Sequence, residues 1–477
     1  MGSIPKILRS LYIAYVRSKI DYGAIVYSSA KEKVLNKLEV LQNKALRLIL
    51  GARNTTPILF MQAEAYIPPI HLHIGFLHIK NFIKLAHKPC NSYTSSCLNL
   101  EAGAPPITPS NSYMCRTKIW LNLLNMGNIK HRPGKTMFDL PGKLSLEKYI
   151  IKDNDETFHK PFKFNAYLSA KFSDYIKIYT DGSKVCSENK TSVACATYND
   201  QNKTIICWKI NEKHSVVASE LFAVWKTLIS LENYNDKYVL FTDSLSSLQM
   251  ISGKLKSFTD LVFKIKLLLF ELNKKTVVIL HWVKGHSNIK GNEIADKAAN
   301  KGHENDRSEL FHLTEMEYLT ELKCNFKIYW KAYWVTTSQL TGTGSFLLSI
   351  DNKLSYKNNI MQLRNRRHQI IINRLRMGHI GLRAYLNRFS MSDEQYCENP
   401  VCYFQEFPET IEHFLLYCPL YTSIRNNLKK NLTEMKVTLF DVKTLLLGRE
   451  EYSKMSRKII VALLEYIYAS GKTEGFF

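Results

Sequence analysis

Apolar and polar side chains alternate from Tyr175 to Thr180, the pattern of a strand with one buried face, and the run ends at Asp181. Thr191–Tyr198 and Thr204–Ile210 flank the turn residues Asn199-Asp200-Gln201-Asn202 and predict a hairpin. Val217, Leu221, Val224, Leu228 and Leu231 recur at the spacing of a core-facing helix, and Glu220 falls inside that stripe. Tyr238–Thr242 is almost continuously apolar, as an internal strand is, and ends at Asp243. Leu245–Ile251 and Thr259–Leu272 predict two helices, and Val277–Trp282 predicts a last strand. A final helix has Ile294, Ala295, Ala298 and Ala299 on its apolar side and also bears Asp296. Nearer the N-terminus, Leu8, Leu11, Tyr12, Tyr15 and Val16 repeat at helical spacing. So do Val34, Leu38, Leu41, Ala45, Leu48 and Ile49, on a helix that should stop at Gly51.

This order of elements gives the pattern a chemical meaning. Asp181-Gly182-Ser183 alone would pass as a turn, and Asp243-Ser244 as a helix cap. Together, however, two strands and two helices deliver one carboxylate each, from Asp181, Glu220, Asp243 and Asp296. The carboxyl ends of neighbouring parallel strands open on one crevice. Four carboxylates gathered there would repel one another unless cations lay between them. Oxygen donors favour Mg2+ or Mn2+ over zinc. Two such ions about 4 Å apart would stabilise the attacking and leaving oxygens of a phosphodiester displacement.

Charge narrows the class of partner. The 477 residues hold 65 Lys and Arg against 42 Asp and Glu, a net of +23, which points to a polyanion. Residues 1–60 have ten basic and three acidic side chains. Met361–Ser390 holds Arg364, Arg366, Arg367, Arg374, Arg376, Arg383 and Arg388 with no acidic residue. Ile370, Ile371, Leu375 and Leu382 are interleaved among them. We read this stretch as a nucleic-acid contact, against the alternative of a solvated helix face. The ten cysteines are scattered, which suits a reducing compartment better than a disulfide framework. No signal-peptide pattern opens the chain, and no apolar run reaches the roughly 18 residues of a membrane span, so a soluble intracellular protein is expected. Prolines from Pro105 to Pro161 mark residues 101–170 as a connector.

Cys397-x4-Cys402-x10-His413-x4-Cys418 has the composition of a closed structural zinc site. The alternative is three unrelated thiols and a surface histidine.

The stretches Tyr179-Thr180-Asp181-Gly182-Ser183, Ala218-Ser219-Glu220-Leu221, Thr242-Asp243-Ser244, Trp282-Val283-Lys284-Gly285-His286-Ser287 and Gly291-Asn292-Glu293-Ile294-Ala295-Asp296 closely resemble the type 1 ribonuclease H domain, in order and spacing. The resemblance implies an α/β fold at residues 171–302, with a five-stranded mixed sheet and flanking helices, that cleaves RNA in RNA–DNA hybrids. It makes Asp181, Glu220, Asp243 and Asp296 the ligands of two Mg2+ or Mn2+ ions. His286, on a mobile glycine-flanked loop, would assist proton transfer or product release. Some members carry a basic extra helix between the two middle helices; Gly253-Lys254-Leu255-Lys256-Ser257 leaves no room for one here.

Two further resemblances frame this domain. Leu11–Ala30, Leu38–Gly51 and Ala63-Glu64-Ala65 with Pro68-Pro69 look like the helical thumb just past the polymerase core of non-LTR retrotransposon reverse transcriptases of the jockey/R1 type. No Asp-Asp pair occurs in the chain, so polymerase activity is not expected. Arg374-Leu375-Arg376-Met377-Gly378-His379 and Glu412-His413-Phe414-Leu415-Leu416-Tyr417-Cys418-Pro419 match the Arg-rich stretch and Cys-Cys-His-Cys knuckle that end many such polyproteins. The expected organisation is therefore a helical thumb-like region over 1–100, the connector, the nuclease over 171–302, and a mainly helical, basic tail over 303–477 with its knuckle at 397–418. The main alternative is a catalytically silent remnant or a host-recruited adaptor that only binds nucleic acid.

Overall fold

The computed structural model describes residues 3–87, 113–126, 129, 135–136, 147–152, 161–187, 191–231, 235–253, 257–309, 311–354, 363, 365–448 and 453–472. Two compact units result, one within Lys80–Ile107 and Met126–Lys323, the other within Met1–Ile79, Thr108–Asn125 and Cys324–Phe477. About half of the expected connector falls outside the described residues, as do Lys254–Lys256 and Arg364.

The first unit is built on a mixed sheet. Its elements are β1 (Ile150–Ile151), α1 (Pro161–Lys171), β2 (Tyr175–Cys186), β3 (Thr191–Asn199), β4 (Ile205–Ile210), α2 (Val216–Ile229), β5 (Lys237–Thr242), α3 (Leu245–Ser252), α4 (Asp260–Leu272), β6 (Val278–Trp282), α5 (Lys290–Lys301) and β7 (Ser308–Glu309). The strand order is β1-β6-β5-β2-β3-β4-β7. β1, β6, β5 and β2 run parallel, β3 and β4 form the antiparallel meander, and β7 is parallel to β4. The expected five strands are the middle of a seven-stranded sheet. The two additions are two residues long and occupy its edges, where they cover backbone groups that would otherwise be open to another strand. They are too short to show any alternation in the sequence.

Both faces of the sheet are buried, which explains the continuous apolar run of β5. Ile178 and Leu240 point to one face, with Leu221, Val224 and Leu228 of α2 and Val262, Ile265 and Leu269 of α4. Tyr179, Val239 and Phe241 point to the other, with Ala295 of α5 and Phe164 and Leu168 of α1. α1 comes from the stretch read as connector, yet Phe164 and Phe241 rings meet edge to face at 5.5 Å. Helix starts are capped as their sequences suggest: Ser215 accepts from Ala218 N–H, Ser244 from Ser247 N–H and Thr259 from Val262 N–H. A Cβ on Gly291 would lie 2.2 Å from the Tyr179 ring, so only glycine lets α5 begin this close to β2.

In the second unit, helices from both ends of the chain share one core. Leu46, Ile49 and Leu50 meet Ile371, Ile372 and Leu375, Phe414 and Leu415, and Ile459, Ile460 and Leu463. The helix Glu32–Leu50 ends at Gly51 in left-handed conformation, as expected. Its inward face differs from the expected stripe. Val34, Leu41 and Leu48 are exposed, while Gln42, Asn43, Leu46, Ile49 and Leu50 are buried. Gln42 is accommodated because Tyr12 Oη–H donates to it at 2.9 Å and its amide donates to the Pro68 carbonyl at 3.0 Å. Spacing of apolar residues cannot anticipate a buried amide satisfied by residues 26 and 30 positions away.

The arginine-rich stretch is largely committed to the protein itself. Arg366 donates to the Leu48 and Ile49 carbonyls, Asn373 to Leu50 and Arg374 to Gly51 at 2.7 Å. These residues thereby satisfy the unpaired carbonyls at the end of the helix Glu32–Leu50 and place positive charge at its negative pole. Arg383 pairs with Glu394 at 2.9 Å and Glu398 at 2.7 Å. Arg376 corrects the expectation outright. It is 1 % exposed and held by Glu64 at 2.7 Å and Asp351 at 3.2 Å, so it is not presented to a phosphate.

Candidate active site and metal centre

Parallel pairing of β2 with β5 ends at Thr180 opposite Thr242, so Asp181 and Asp243 emerge side by side. β2 itself does not stop there. It continues to Cys186 against β3, with Asp181 opposite Ala196. Glu220, in the second turn of α2, faces the same point and is buried. The three carboxylates offer oxygens that all lie within 4.8 Å of one another. Two glycines permit this approach. A Cβ on Gly182 would lie 2.4 Å from Ser219 Oγ and 2.8 Å from Glu220 N, and one on Gly285 would lie 2.7 Å from Asp243 Oδ2. The backbone of Gly182 lowers the carboxyls of Asp181 and Glu220 against the effect of burial. Asn292 donates to Asp243 Oδ2 at 3.5 Å, and Trp282 Nε1–H donates to the Asp243 carbonyl at 3.0 Å.

The electrostatics follow from this crowding. Burial, then the charges of Asp243 and Asp296, push the Asp181 carboxyl up to about 7. Burial, then Asp181 and Asp243, push Glu220 well above the usual carboxylate range, and burial raises Asp243 too. Such a group holds protons at neutral pH unless another cation replaces them. An oxygen-only donor set of this kind fits a hard divalent cation.

The other expected residues are placed less tightly. Asp296, on α5, lies outside the group of three, but its charge acts on both Asp181 and Asp243. His286 is exposed on the loop between Val283 and Ile289, in left-handed conformation (φ 52°). Its proximity lowers the Asp243 carboxyl against the effect of burial.

Residues 173–304 match the family profile described as RNase H. The chain is also 34 % identical over 141 residues to a protein named ribonuclease H from Orientia tsutsugamushi (strain Boryong), covering 27 % of this chain and 81 % of that relative. The chain belongs to the ribonuclease H family.

The match spans the ribonuclease H strands and helices from the start of β2 through α5, and with them all four candidate carboxylates and His286. β1 and α1 precede the matched residues, and β7 follows them.

A second group lies in the other unit. Ligand atoms of Cys397, Cys402, His413 and Cys418 all lie within 4.8 Å of one another, and all four residues are buried. Asn399 caps the short helix Pro400–Phe404 by accepting from Val401 and Cys402 N–H. Cys397 N–H donates to Phe407 O and Phe407 N–H to Cys402 O, so this loop folds back on itself. His413 and Cys418 are brought together by a single wide helical turn, His413–Tyr417, in which Cys418 N–H donates to His413 O at 2.8 Å. The Cys397 and Cys418 sulfurs are 3.6 Å apart, at hydrogen-bond distance and with no disulfide between them. Burial pushes Cys418 up to about 12 and raises Cys402, while burial lowers His413, favouring its neutral form. His413 Nε2 is buried with no hydrogen-bond partner. A neutral imidazole with an unused nitrogen beside three thiols fits a tetrahedral zinc ion.

The sequence reading did not single out Asn292, Gly182, Ser183 or Asn300 as parts of the site. The first three lie inside its matching motifs. Asn300 follows Asp296 by four residues, one helical turn, which is the available signal.

Proposed function

We propose that the chain hydrolyses the RNA strand of RNA–DNA hybrids at Asp181, Glu220, Asp243 and Asp296, with Mg2+ or Mn2+ held between them. The observation that carries this reading is the group of three carboxylates within 4.8 Å, two buried and Asp243 partly so, in a ribonuclease H-family domain. Two ions there would supply the activated water and stabilise charge on the leaving oxygen. The chain's own contribution is to hold the carboxylates at fixed separation. Asn292 orients Asp243, Gly182 leaves space against Ser219 and Glu220, and Gly285 leaves space against Asp243. His286, exposed and near Asp243, would take up or return a proton at the edge of the site. Specificity for RNA follows from the 2′-hydroxyls that line one strand of the hybrid's wide minor groove.

The flanking unit supports a wider assignment. Its thumb-like helices, arginine-rich helix and Cys-Cys-His-Cys group stand in the order expected of the C-terminal part of a non-LTR retrotransposon polyprotein. In that reading, a structural zinc ion occupies the knuckle and the unit holds nucleic acid through the exposed basic residues that it contributes to the chain's net +23.

Cleavage assays with a labelled hybrid test the activity. Hybrid RNA should be cut with Mg2+ or Mn2+, and duplex DNA spared. Asp243→Asn should lower cleavage by about two orders of magnitude or more while hybrid binding holds or rises. Equal cutting of DNA, or full activity in that variant, would remove this assignment.

A further inference from the structure

We propose that Asn300 and His303 are positioning residues for Asp296, joined to it through Ser183 in one directed chain of hydrogen bonds; this rests on the reading of Asp296 as a cation ligand. An ionised carboxylate only accepts hydrogen bonds. The Asn300 amide nitrogen therefore faces Asp296 Oδ1, at 3.1 Å. This turns Asn300 Oδ1 the other way, where Ser183 Oγ lies at 2.7 Å and must donate its single proton. The Ser183 oxygen is then left to accept, and His303 Nε2 lies 3.1 Å from it. His303 Nε2 must hold a hydrogen, and Nδ1 turns to Ser192 Oγ at 3.0 Å. Every donor in the series points towards the carboxylate, an arrangement in which each bond polarises the next.

The residues come from separate elements. Ser183 is two positions beyond Asp181 on β2, Ser192 is on β3, Asn300 is in the last turn of α5, and His303 is in the turn Gly302–Glu304 that follows it. The chain of bonds thus laces the end of α5 to the β2–β3 hairpin. A Cβ on Gly302 would come within 3.0 Å of Ala194 Cβ, so close contact at this point needs glycine. Asp181 and Glu220 are held by burial and Asp243 by the end of its strand, whereas Asp296, like Asp243 only partly buried, stands on a helix. Its side chain takes the Asn300 amide as a donor one helical turn away. Residues of this kind, which orient a ligand without touching the ion, tune affinity.

The test uses the full chain and Mn2+ alone as probe, followed by calorimetry, with nitrogen NMR of the histidines alongside. His303 should show the Nε2–H tautomer at pH 8. Asn300→Ala, Ser183→Ala and His303→Ala should each weaken Mn2+ binding by about two- to tenfold and raise the Mg2+ needed for half-maximal cleavage by a similar factor. The rate at saturating Mg2+ should change little, and the melting temperature should hold. His303→Gln, whose amide can replace Nε2–H, should recover wild-type binding, while Asn300→Ala combined with His303→Ala should be no worse than Asn300→Ala. Wild-type Mn2+ affinity in both Asn300→Ala and His303→Ala, or an Nδ1–H tautomer of His303, overturns the proposal. Asp296→Asn separates the two levels. If it leaves Mn2+ affinity intact, the ligand reading of Asp296 fails and the positioning proposal with it. If it weakens binding while Asn300→Ala does not, the positioning proposal alone fails.

Discussion

Glu317 accepts a hydrogen bond from the backbone N–H of Ser215 at 2.7 Å, across 102 positions of sequence. Ser215 is the cap of α2, the helix that bears Glu220, so a residue beyond the family match closes the end of the helix that supplies a candidate ligand. The same carboxylate accepts from Thr314 N–H at 2.8 Å and Oγ1–H at 3.0 Å, and lies 3.3 Å from His214 Nδ1. His214 is buried and stacked on Phe311 at 3.7 Å. Glu317→Ala would leave several buried donors unpaired and should destabilise the nuclease unit by about 2–4 kcal/mol. Denaturant unfolding of that variant checks this, and a chain ended after residue 304 should show a comparable loss. Wild-type stability in both would mean that Glu317 is dispensable.

The raised carboxyls predict an unusual pH response. Asp181 is raised in the folded protein to about 7, from an ordinary carboxylate value when unfolded. The folded state therefore binds more protons in between, and stability falls as pH rises. In metal-free buffer the melting temperature of the nuclease unit should drop between about pH 4 and pH 7. Millimolar Mg2+ should restore it, and restore it more at pH 8 than at pH 5, because the cation competes with protons for the same oxygens. A melting temperature that rises through this window without metal would contradict the site's electrostatics.

Arg376 makes a sharp test of the division between fold and nucleic-acid contact. Its charge is raised in stability by Glu64 and Asp351 despite full burial. Arg376→Met should cost about 3–5 kcal/mol, since both carboxylates lose their partner in the interior. Combining it with Glu64→Gln and Asp351→Asn should recover part of that loss. The affinity of the folded fraction for a hybrid, measured by fluorescence anisotropy, should be unchanged throughout, and a change would return Arg376 to the binding surface.

The Cys-Cys-His-Cys group predicts about one tightly held zinc per purified chain. A chelator should loosen residues 390–425, read by proteolysis, and leave Mg2+-dependent cleavage in place. Cys402→Ser should do the same without chelator. Zinc-free protein with undiminished protease resistance in that stretch would show that the four residues serve packing alone.

The nuclease was legible in the chain because its information is local. Alternation in Tyr175–Thr180, the apolar run of Tyr238–Thr242, the stripe around Glu220 and the turn at Asn199–Asn202 each follow from a side-chain period or a turn preference that neighbouring residues settle among themselves. Asp181 and Asp243 at strand ends and Glu220 within its helix stripe were therefore predictable as neighbours, as three of the four carboxylates expected together. The Cys-Cys-His-Cys group was predictable for a similar reason, its four residues being within 22 positions of one another. What only the tertiary structure decided is whatever depends on partners far away in sequence. The edge strands Ile150–Ile151 and Ser308–Glu309 take their conformation from a neighbour's open backbone, and two residues are too few to show a period. Gln42 is inside and Leu48 outside because the amide finds the Tyr12 hydroxyl and the Pro68 carbonyl, while apolar spacing records only transfer from water. The arginines between Arg366 and Arg376 look alike by composition. Arg376 is buried by Glu64, over 300 positions away, and Arg366 and Arg374 are drawn to the end of a helix from the other end of the chain. A charge run states that anions are wanted; which anions meet it is settled by packing.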